Sequence, residues 1–383
     1  MINTLRSKFS GRHKKQILQH YLSYGQSHGF GLNSGMSVLQ KPLSDRIVMF
    51  NGGVSPASNS KETIEKDLID HFVPAYNAKY RESPILSGAH FLSQQTDQTI
   101  LCSNHGSGGT KIENLMRDSI QYQNMLVTIQ RALDICTSGN VEYSIPPIMF
   151  FHGGANAHDS KAHYKEKILR LFKQLNHDIK QITGQRDNIS FIMQQNIAGE
   201  TGLAQIELAR EMPELFRCQG PYYVQKFTDR FHLSSSGYIA LGAYNARAAL
   251  DSDWFPLYPK RTRIDGKAVT LEFHNPSGTA LVLDDQRIKN YRDENYGFRW
   301  IDDSHSAKIS TVTVVGADRV ILELSNVPSG ANPLIGIADV SEGSAKIGLS
   351  KRCCLRDSNS DVDKLGMPMY NWACIYRIPV VAA

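Results

Sequence analysis

The chain has 383 residues and 41% hydrophobic content, which excludes a disordered chain and leaves room for more than one structural unit. Its net charge of +5 comes from 42 basic and 37 acidic residues that are well mixed, which argues against a nucleic-acid-binding stripe. No apolar run approaches the roughly 18 residues a membrane-spanning helix needs.

Arg6, Lys8, Arg12, Lys14 and Lys15 make the opening basic. Basic residues of this kind are ordinary solvated surface. The segment lacks the apolar region of a secretory signal. The expectation is therefore synthesis in the cytoplasm without a signal peptide, with action outside the cell after release by lysis. No membrane or nucleic-acid partner is expected, and self-association is left open.

Leu18–Tyr24 reads as the first strand, and Gly25-Gln26-Ser27-His28-Gly29 follows it. Thr99–Ser103 reads as the next, followed by His105-Gly106-Ser107-Gly108-Gly109-Thr110. Ile112–Leu133 carries apolar residues at helical spacing. Ile145–Phe151 is a third strand, followed by His152-Gly153-Gly154-Ala155-Asn156. Tyr164–Ile182 is a second helical stretch, with Asp159 or Ser160 as its N-cap. Ile189–Gln194 reads as a strand, and Asp229-Arg230-Phe231-His232 closes the series of motifs. Strands alternating with helices predict α/β architecture with a parallel sheet.

From about residue 262 the helical period disappears. Val269–Phe273, Ala280–Leu283, Ile309–Val315, Val320–Leu324 and Ile375–Val380 read as strands between Gly, Pro, Asn and Asp turns. The expected division is residues 1–258 as an α/β unit and residues 259–383 as a smaller, all-β, sandwich-like domain. The second unit would bind or assemble, with Tyr291, Tyr296 and Trp300 as candidates for stacking on a ligand. Its removal would spare the first unit's action on a small substrate. The six cysteines (Cys102, Cys136, Cys218, Cys353, Cys354, Cys374) show no C-x-x-C pair and are expected to be free thiols.

The motifs supply the parts of nucleophilic catalysis. A serine hydroxyl needs a base to take its proton, and a carboxylate three residues before a histidine can orient the imidazole. Ser27, His232 and Asp229 are the candidate catalytic residues. In an open α/β sheet the ligand crevice lies beyond the carboxyl ends of the strands, so motifs that follow successive strands converge there. Gly108 and Gly109 are candidates for backbone donors to an oxyanion. His152 or Asn156 would supply a side-chain donor. Gly25–Gly29 also matches the G-x-S-x-G elbow of α/β-hydrolases. That reading fails because too few residues precede it, and the acid and histidine here share one loop. His152, His158, Asp159 and His163 are close in sequence but lack the i, i+4 pair of a helical metal site, so no metal or other cofactor is expected.

Gly25-Gln26-Ser27, Gly108-Gly109-Thr110, His152–Asn156 and Asp229–Tyr238 together resemble the blocks of the SGNH hydrolases. The closest likeness is to the carbohydrate O-acetylesterase branch, with its sialate O-acetylesterases and acetylxylan esterases. The resemblance covers about residues 18–250. The third block departs from the family pattern, with Gly154 in place of glutamate and Asn156 in place of aspartate. The resemblance implies a flavodoxin-like, doubly wound parallel sheet, a serine nucleophile, no cofactor and an acetylated polysaccharide or glycan as substrate. The β-rich region resembles accessory domains beside such esterases, including those of phage tail proteins. The competing expectations are a lipase or thioesterase with the same triad, and a non-catalytic glycan-binding virion protein.

Overall fold

The computed structural model describes residues 16–57, 60–288, 295–339 and 352–382. The basic opening segment and Tyr291 lie outside them.

The first part is built on an 8-stranded sheet. Its strands are β1 (Ile17–Gly25), β2 (Ile47–Phe50), β3 (Phe72–Pro74), β4 (Thr99–Gly106), β5 (Glu142–Ser144), β6 (Ile148–Phe151), β7 (Phe191–Gln195) and β8 (Phe216–Pro221). The order is β3-β2-β4-β1-β6-β7-β8, with β5 paired to β1 off that path. Every pairing is parallel except β2 with the edge strand β3. The run β4-β1-β6-β7-β8 has the flavodoxin-like order, whose switch point lies beside β1. The central strands are buried on both faces, as parallel strands sandwiched by helices must be.

The helices are α1 (Ser27–Phe30), α2 (Pro84–Ser93), α3 (Ile120–Ser138), α4 (Lys161–Thr183), α5 (Thr201–Glu211) and α6 (Ser235–Leu250). Ser160 caps α4 by accepting the His163 N–H, and Tyr164, Ile168, Leu171, Phe172, Leu175 and Ile179 form its buried stripe. The stretch expected as one helix from Ile112 is broken. Ile112–Leu115 makes a single 3₁₀ turn, Met116 is extended, and Ser119 starts α3 afresh by accepting the Tyr122 N–H. A good N-cap inside a periodic run thus ends one helical element and begins another. Ile47–Phe50, Phe72–Pro74 and Phe216–Pro221 are strands that the apolar pattern did not reveal.

The second part contains only strands and one short turn of helix among its described residues. β9 (Tyr258–Asp265), β10 (Ala268–His274), β13 (Ile309–Val315), β14 (Arg319–Leu324) and β18 (Val381–Ala382) form a 5-stranded sheet in the order β13-β14-β10-β9-β18. β12 (Phe298–Ile301), β15 (Leu334–Ile337) and β17 (Tyr376–Pro379) form a 3-stranded antiparallel sheet, and β11 (Val282–Leu283) pairs with β16 (Leu355–Arg356). Val269, Leu271 and Phe273 alternate inward along β10 and meet Leu322, Ile335 and Ile378 in one core.

That core does not stop at the junction. Tyr21, Met149, Phe151, Cys218 and Tyr223 of the first part belong to the same buried cluster as Val269, Ile337, Ala373 and Ile378 of the second. The contact is polar as well. Gln195, fully buried at the end of β7, donates to Ile375 O at 2.7 Å and accepts from Ile375 N at 2.8 Å. Tyr223 Oη donates to Ala373 O at 2.7 Å, and Tyr244 Oη to Tyr370 O at 2.8 Å. All six cysteines are free and buried, as expected.

Candidate active site

The carboxyl ends of the central strands are drawn tightly together. Gly25, the last residue of β1, has φ 145°, and a Cβ there would lie 2.2 Å from Phe151 O. Only glycine fits. Gln26 N donates to Phe151 O and Ser107 N to Gly25 O, so the loops after β1, β4 and β6 leave the sheet side by side. Ser27 opens the one-turn α1, so its N–H has no acceptor within that helix.

The Asp229–His232 loop is organised by its own carboxylate. Asp229 Oδ1 accepts the N–H groups of Phe231 at 2.7 Å and His232 at 2.8 Å, closing an Asx-type turn. Oδ2 faces His232 Nδ1 at 2.8 Å and accepts from Asn33 Nδ2 at 3.1 Å. Burial pushes the Asp229 carboxyl upward. The donors from Phe231, the His232 ring, the His232 backbone and Asn33 outweigh it and hold the group well below the usual carboxylate range. With an ionised acceptor at Nδ1, His232 carries its proton there and leaves Nε2 as the basic nitrogen. Tyr238 Oη donates to Leu32 O and Ser235 N to Ser34 O, so the start of α6 is tied to the loop that follows Ser27.

Ser27 and His232 line one cavity of about 550 Å3 at the switch point of the sheet. No direct hydrogen bond joins their side chains in this arrangement. Such bonds are commonly long until substrate is bound. The walls come from every strand end in the centre of the sheet: Gln26 and His28 after β1, Gly108 and Gly109 after β4, Gly154 and Ala155 after β6, Gln194 and Asn196 at β7, and Tyr222 after β8. Gly109, in the lining, has φ +66° with open space where a Cβ would stand, a left-handed turn that favours glycine. Arg230 and Phe231 stand at the rim, the guanidinium over the half-exposed phenyl ring.

His152 and Asn156 are not in that lining. His152 is fully buried. Its Nε2 donates to Thr110 O at 3.0 Å, and its Nδ1 meets Tyr164 Oη at 2.7 Å. Burial lowers its pKa to about 4, against the opposing pull of Thr110 O, Glu113 and Asp159. Asn156 accepts from Ile112 N at 2.9 Å and donates to Glu113 at 3.0 Å and Asp159 at 2.8 Å. The hydrogen-bonding groups of both side chains are committed to fastening the glycine loop to the loop after β6.

The sequence reading missed Gln26, His28, Gln194, Asn196, Tyr222 and Arg230 as cavity residues. One signal was present: Gln194-Gln195-Asn196 is a buried polar run directly after the apolar Phe191-Ile192-Met193. Polar side chains at the end of a buried parallel strand have few places to go except the crevice or another chain segment. Gln194 and Asn196 took the first course and Gln195 the second.

The profile of the carbohydrate esterase, sialic acid-specific acetylesterase family matches residues 22–251, which hold every cavity residue. The chain belongs to this family. The esterase also resembles solved structures. One is a carbohydrate acetylesterase from Xanthomonas citri, at 16% identity and a TM-score of 0.61, with 94% of this chain and 80% of that one covered. Another is a carbohydrate acetylesterase from Sinorhizobium meliloti, at 14% identity and a TM-score of 0.34, covering 62% of this chain and 100% of the other. A third is a tail fibre protein of an Escherichia coli phage, at 12% identity and a TM-score of 0.35, covering 84% of this chain and 34% of the other. Only the first likeness is close enough to bear on the fold, and it spans both parts of the chain. No curated protein matches the sequence. Among the described residues of the esterase there is no cluster suited to a metal ion and no helix long and apolar enough to cross a membrane.

Proposed function

We propose that the esterase removes O-acetyl groups from a polysaccharide or glycan with Ser27 as nucleophile, His232 as base and Asp229 as the residue that orients the base. Ser27 Oγ attacks the acetyl carbonyl carbon while His232 Nε2 takes its proton. The bond to the sugar oxygen then breaks, and His232 returns the proton to that oxygen. Water, deprotonated by His232, attacks the acetyl-enzyme; the bond to Ser27 Oγ breaks, His232 returns the proton to Oγ, and acetate leaves. Asp229 stabilises the imidazolium formed in each half. The N–H groups of Ser27 and Gly109 are the donors for the carbonyl oxygen as it gains charge. The arrangement that carries this reading is the preset Asp229–His232 pair, whose imidazole lines the same cavity as Ser27.

A cavity of about 550 Å3 lies within the range of roughly 300–1,000 Å3 typical of small-ligand sites. The β-rich residues 259–383 we read as an accessory region that supports the catalytic unit and extends its contact with polymer. The test compares wild type with Ser27→Ala and His232→Ala on a short acetyl ester, a long-chain ester and an acetylated glycan, following acetate release. Both variants should lose on the order of 10⁴–10⁶ in kcat. Near-wild-type turnover by folded Ser27→Ala overturns the mechanism, and preference for the long-chain ester overturns the substrate class.

A further inference from the structure

His28, next to the proposed nucleophile, has no part in the mechanism above, yet it is 6% exposed and fully hydrogen-bonded. Its Nε2 lies 2.9 Å from Phe231 O, and its Nδ1 lies 3.1 Å from the Gln194 side-chain amide. The ring is packed edge-on against Tyr222, with centroids 4.9 Å apart, and against Tyr238, at 5.8 Å. One imidazole therefore joins the loop after β1, the end of β7 and the Asp229–His232 loop.

The chemistry of these partners fixes the tautomer. Phe231 O can only accept, so Nε2 carries a hydrogen. Burial disfavours the cation, against the opposing pull of the Phe231 carbonyl and Gln194. Gln194 Oε1 stands opposite Nδ1; with a lone pair on Nδ1, the pairing calls for the amide rotation that exchanges Oε1 with the nearly equivalent Nε2 and brings an N–H to it. The Phe231 carbonyl is bonded directly to the His232 nitrogen. Whatever holds that carbonyl holds the base.

We propose that His28 is a positioning residue: its Nε2–H, clamped on Phe231 O, sets the distance and angle at which His232 meets Ser27. Asp229 orients the imidazole within its own loop, and it reaches the stretch after Ser27 through Asn33. His28 adds a link of its own, from the residue beside the nucleophile to the peptide of the base. Asn33 provides the other cross-connection, on the far side of Asp229.

This inference rests on the Ser27–His232–Asp229 reading, and its test separates the two. The variants are His28→Phe, His28→Gln and His28→Asn, with Ser27→Ala as control. Gln places its terminal amide near the position of Nε2, whereas Asn reaches only as far as Nδ1. Pre-steady-state acetate-ester hydrolysis gives the burst amplitude, which counts competent sites, and the acylation rate constant. A positioning role predicts full burst amplitude and an acylation rate lowered about 10²-fold in His28→Phe and His28→Asn, the scale expected of a misplacement of about 1 Å. His28→Gln should recover to within about tenfold of wild type by restoring the donor. KM should change little throughout. Equal rates in the Gln and Asn variants, or loss confined to burst amplitude, would overturn the proposal, and this comparison stands even if His28→Phe does not fold. Turnover retained by Ser27→Ala would instead indicate failure of the triad reading.

Discussion

Ending the chain at residue 259 is the perturbation that the sequence and the structure answer differently. A free-standing β-domain could be removed without harm to a small acetyl ester's hydrolysis. In the structure, the truncation would strip the cover from Tyr223, which is 1% exposed and packed on Trp372, and from Tyr244, which is packed on Met369. Each such side chain is worth about 2 kcal/mol of burial. It would also take from the Gln195 amide its two bonds to Ile375, and leave without partners the hydroxyls of Tyr223 and Tyr244. Net losses of about 1 kcal/mol per hydrogen bond bring the total to about 8 kcal/mol. A whole domain is commonly stable by only about 5–15 kcal/mol. Gln195 also sits between Gln194 and Asn196, so the damage lies at the cavity wall. Circular-dichroism melting and acetate release from a small acetyl ester should both show loss: no cooperative transition at 37 °C and no turnover. A truncated protein that melts cooperatively and hydrolyses the ester at near-wild-type rate would refute the shared core.

Further outcomes follow from the site itself. Asn156→Ala should leave the buried Ile112 N–H unpartnered and lower stability by about 1–3 kcal/mol in urea denaturation. Its kcat should fall by less than the roughly 10²–10³ expected of an oxyanion donor. Asp229→Asn should keep the turn through Oδ1 but present an N–H to His232 Nδ1, lowering kcat on the order of 10³–10⁴ with little change in melting temperature. Stability should also fall in acid. Burial holds His105 down to about 3 and His152 down to about 4, and His20 well below its ordinary value. Above an ordinary imidazole pKa of about 6.5 neither folded nor unfolded chain is protonated at these sites. Below it the unfolded chain binds protons that the folded chain refuses, so stability drops until the folded values are reached. At pH 5 the loss is about 2 kcal/mol each for His105 and His152, measurable as a falling urea midpoint from pH 7 to pH 5. An unchanged midpoint would mean that these imidazoles are charged in the folded protein.

The pairing of Asp229 with His232 was legible because it is local. Asp229 and His232 lie three residues apart and form their own turn, and Ser27 follows a strand whose apolar run is unbroken. The alternation of strand and helix carried the parallel sheet for the same reason. What escaped was non-local. The Asn156 side chain is committed to Ile112, Glu113 and Asp159, and nothing in His152–Asn156 distinguishes such a clamp from a donor. Strand β8 was missed because Arg217, Gln219 and Gly220 interrupt its apolar pattern. Arg217 makes this possible by donating to Ala248 O and Ala249 O of α6. The division of the chain into two units was read from a real change of period at about residue 262. Period reports element type, however, and says nothing of whether two groups of elements share a core.

The pairing of Gln195 with Ile375 spans 180 positions of sequence. A chain made from its N-terminus completes β7 and the cavity loops long before Ile375 exists. Closing so long a loop is slow, and surfaces awaiting late partners are prone to stick to one another. During synthesis the α/β unit must therefore wait with Gln195 Oε1 lacking its Ile375 donor and the seat of Trp372 and Ala373 open. Esterase activity should appear only after the segment around Ile375 has left the ribosome. Nascent chains arrested just short of it are the form most dependent on chaperones.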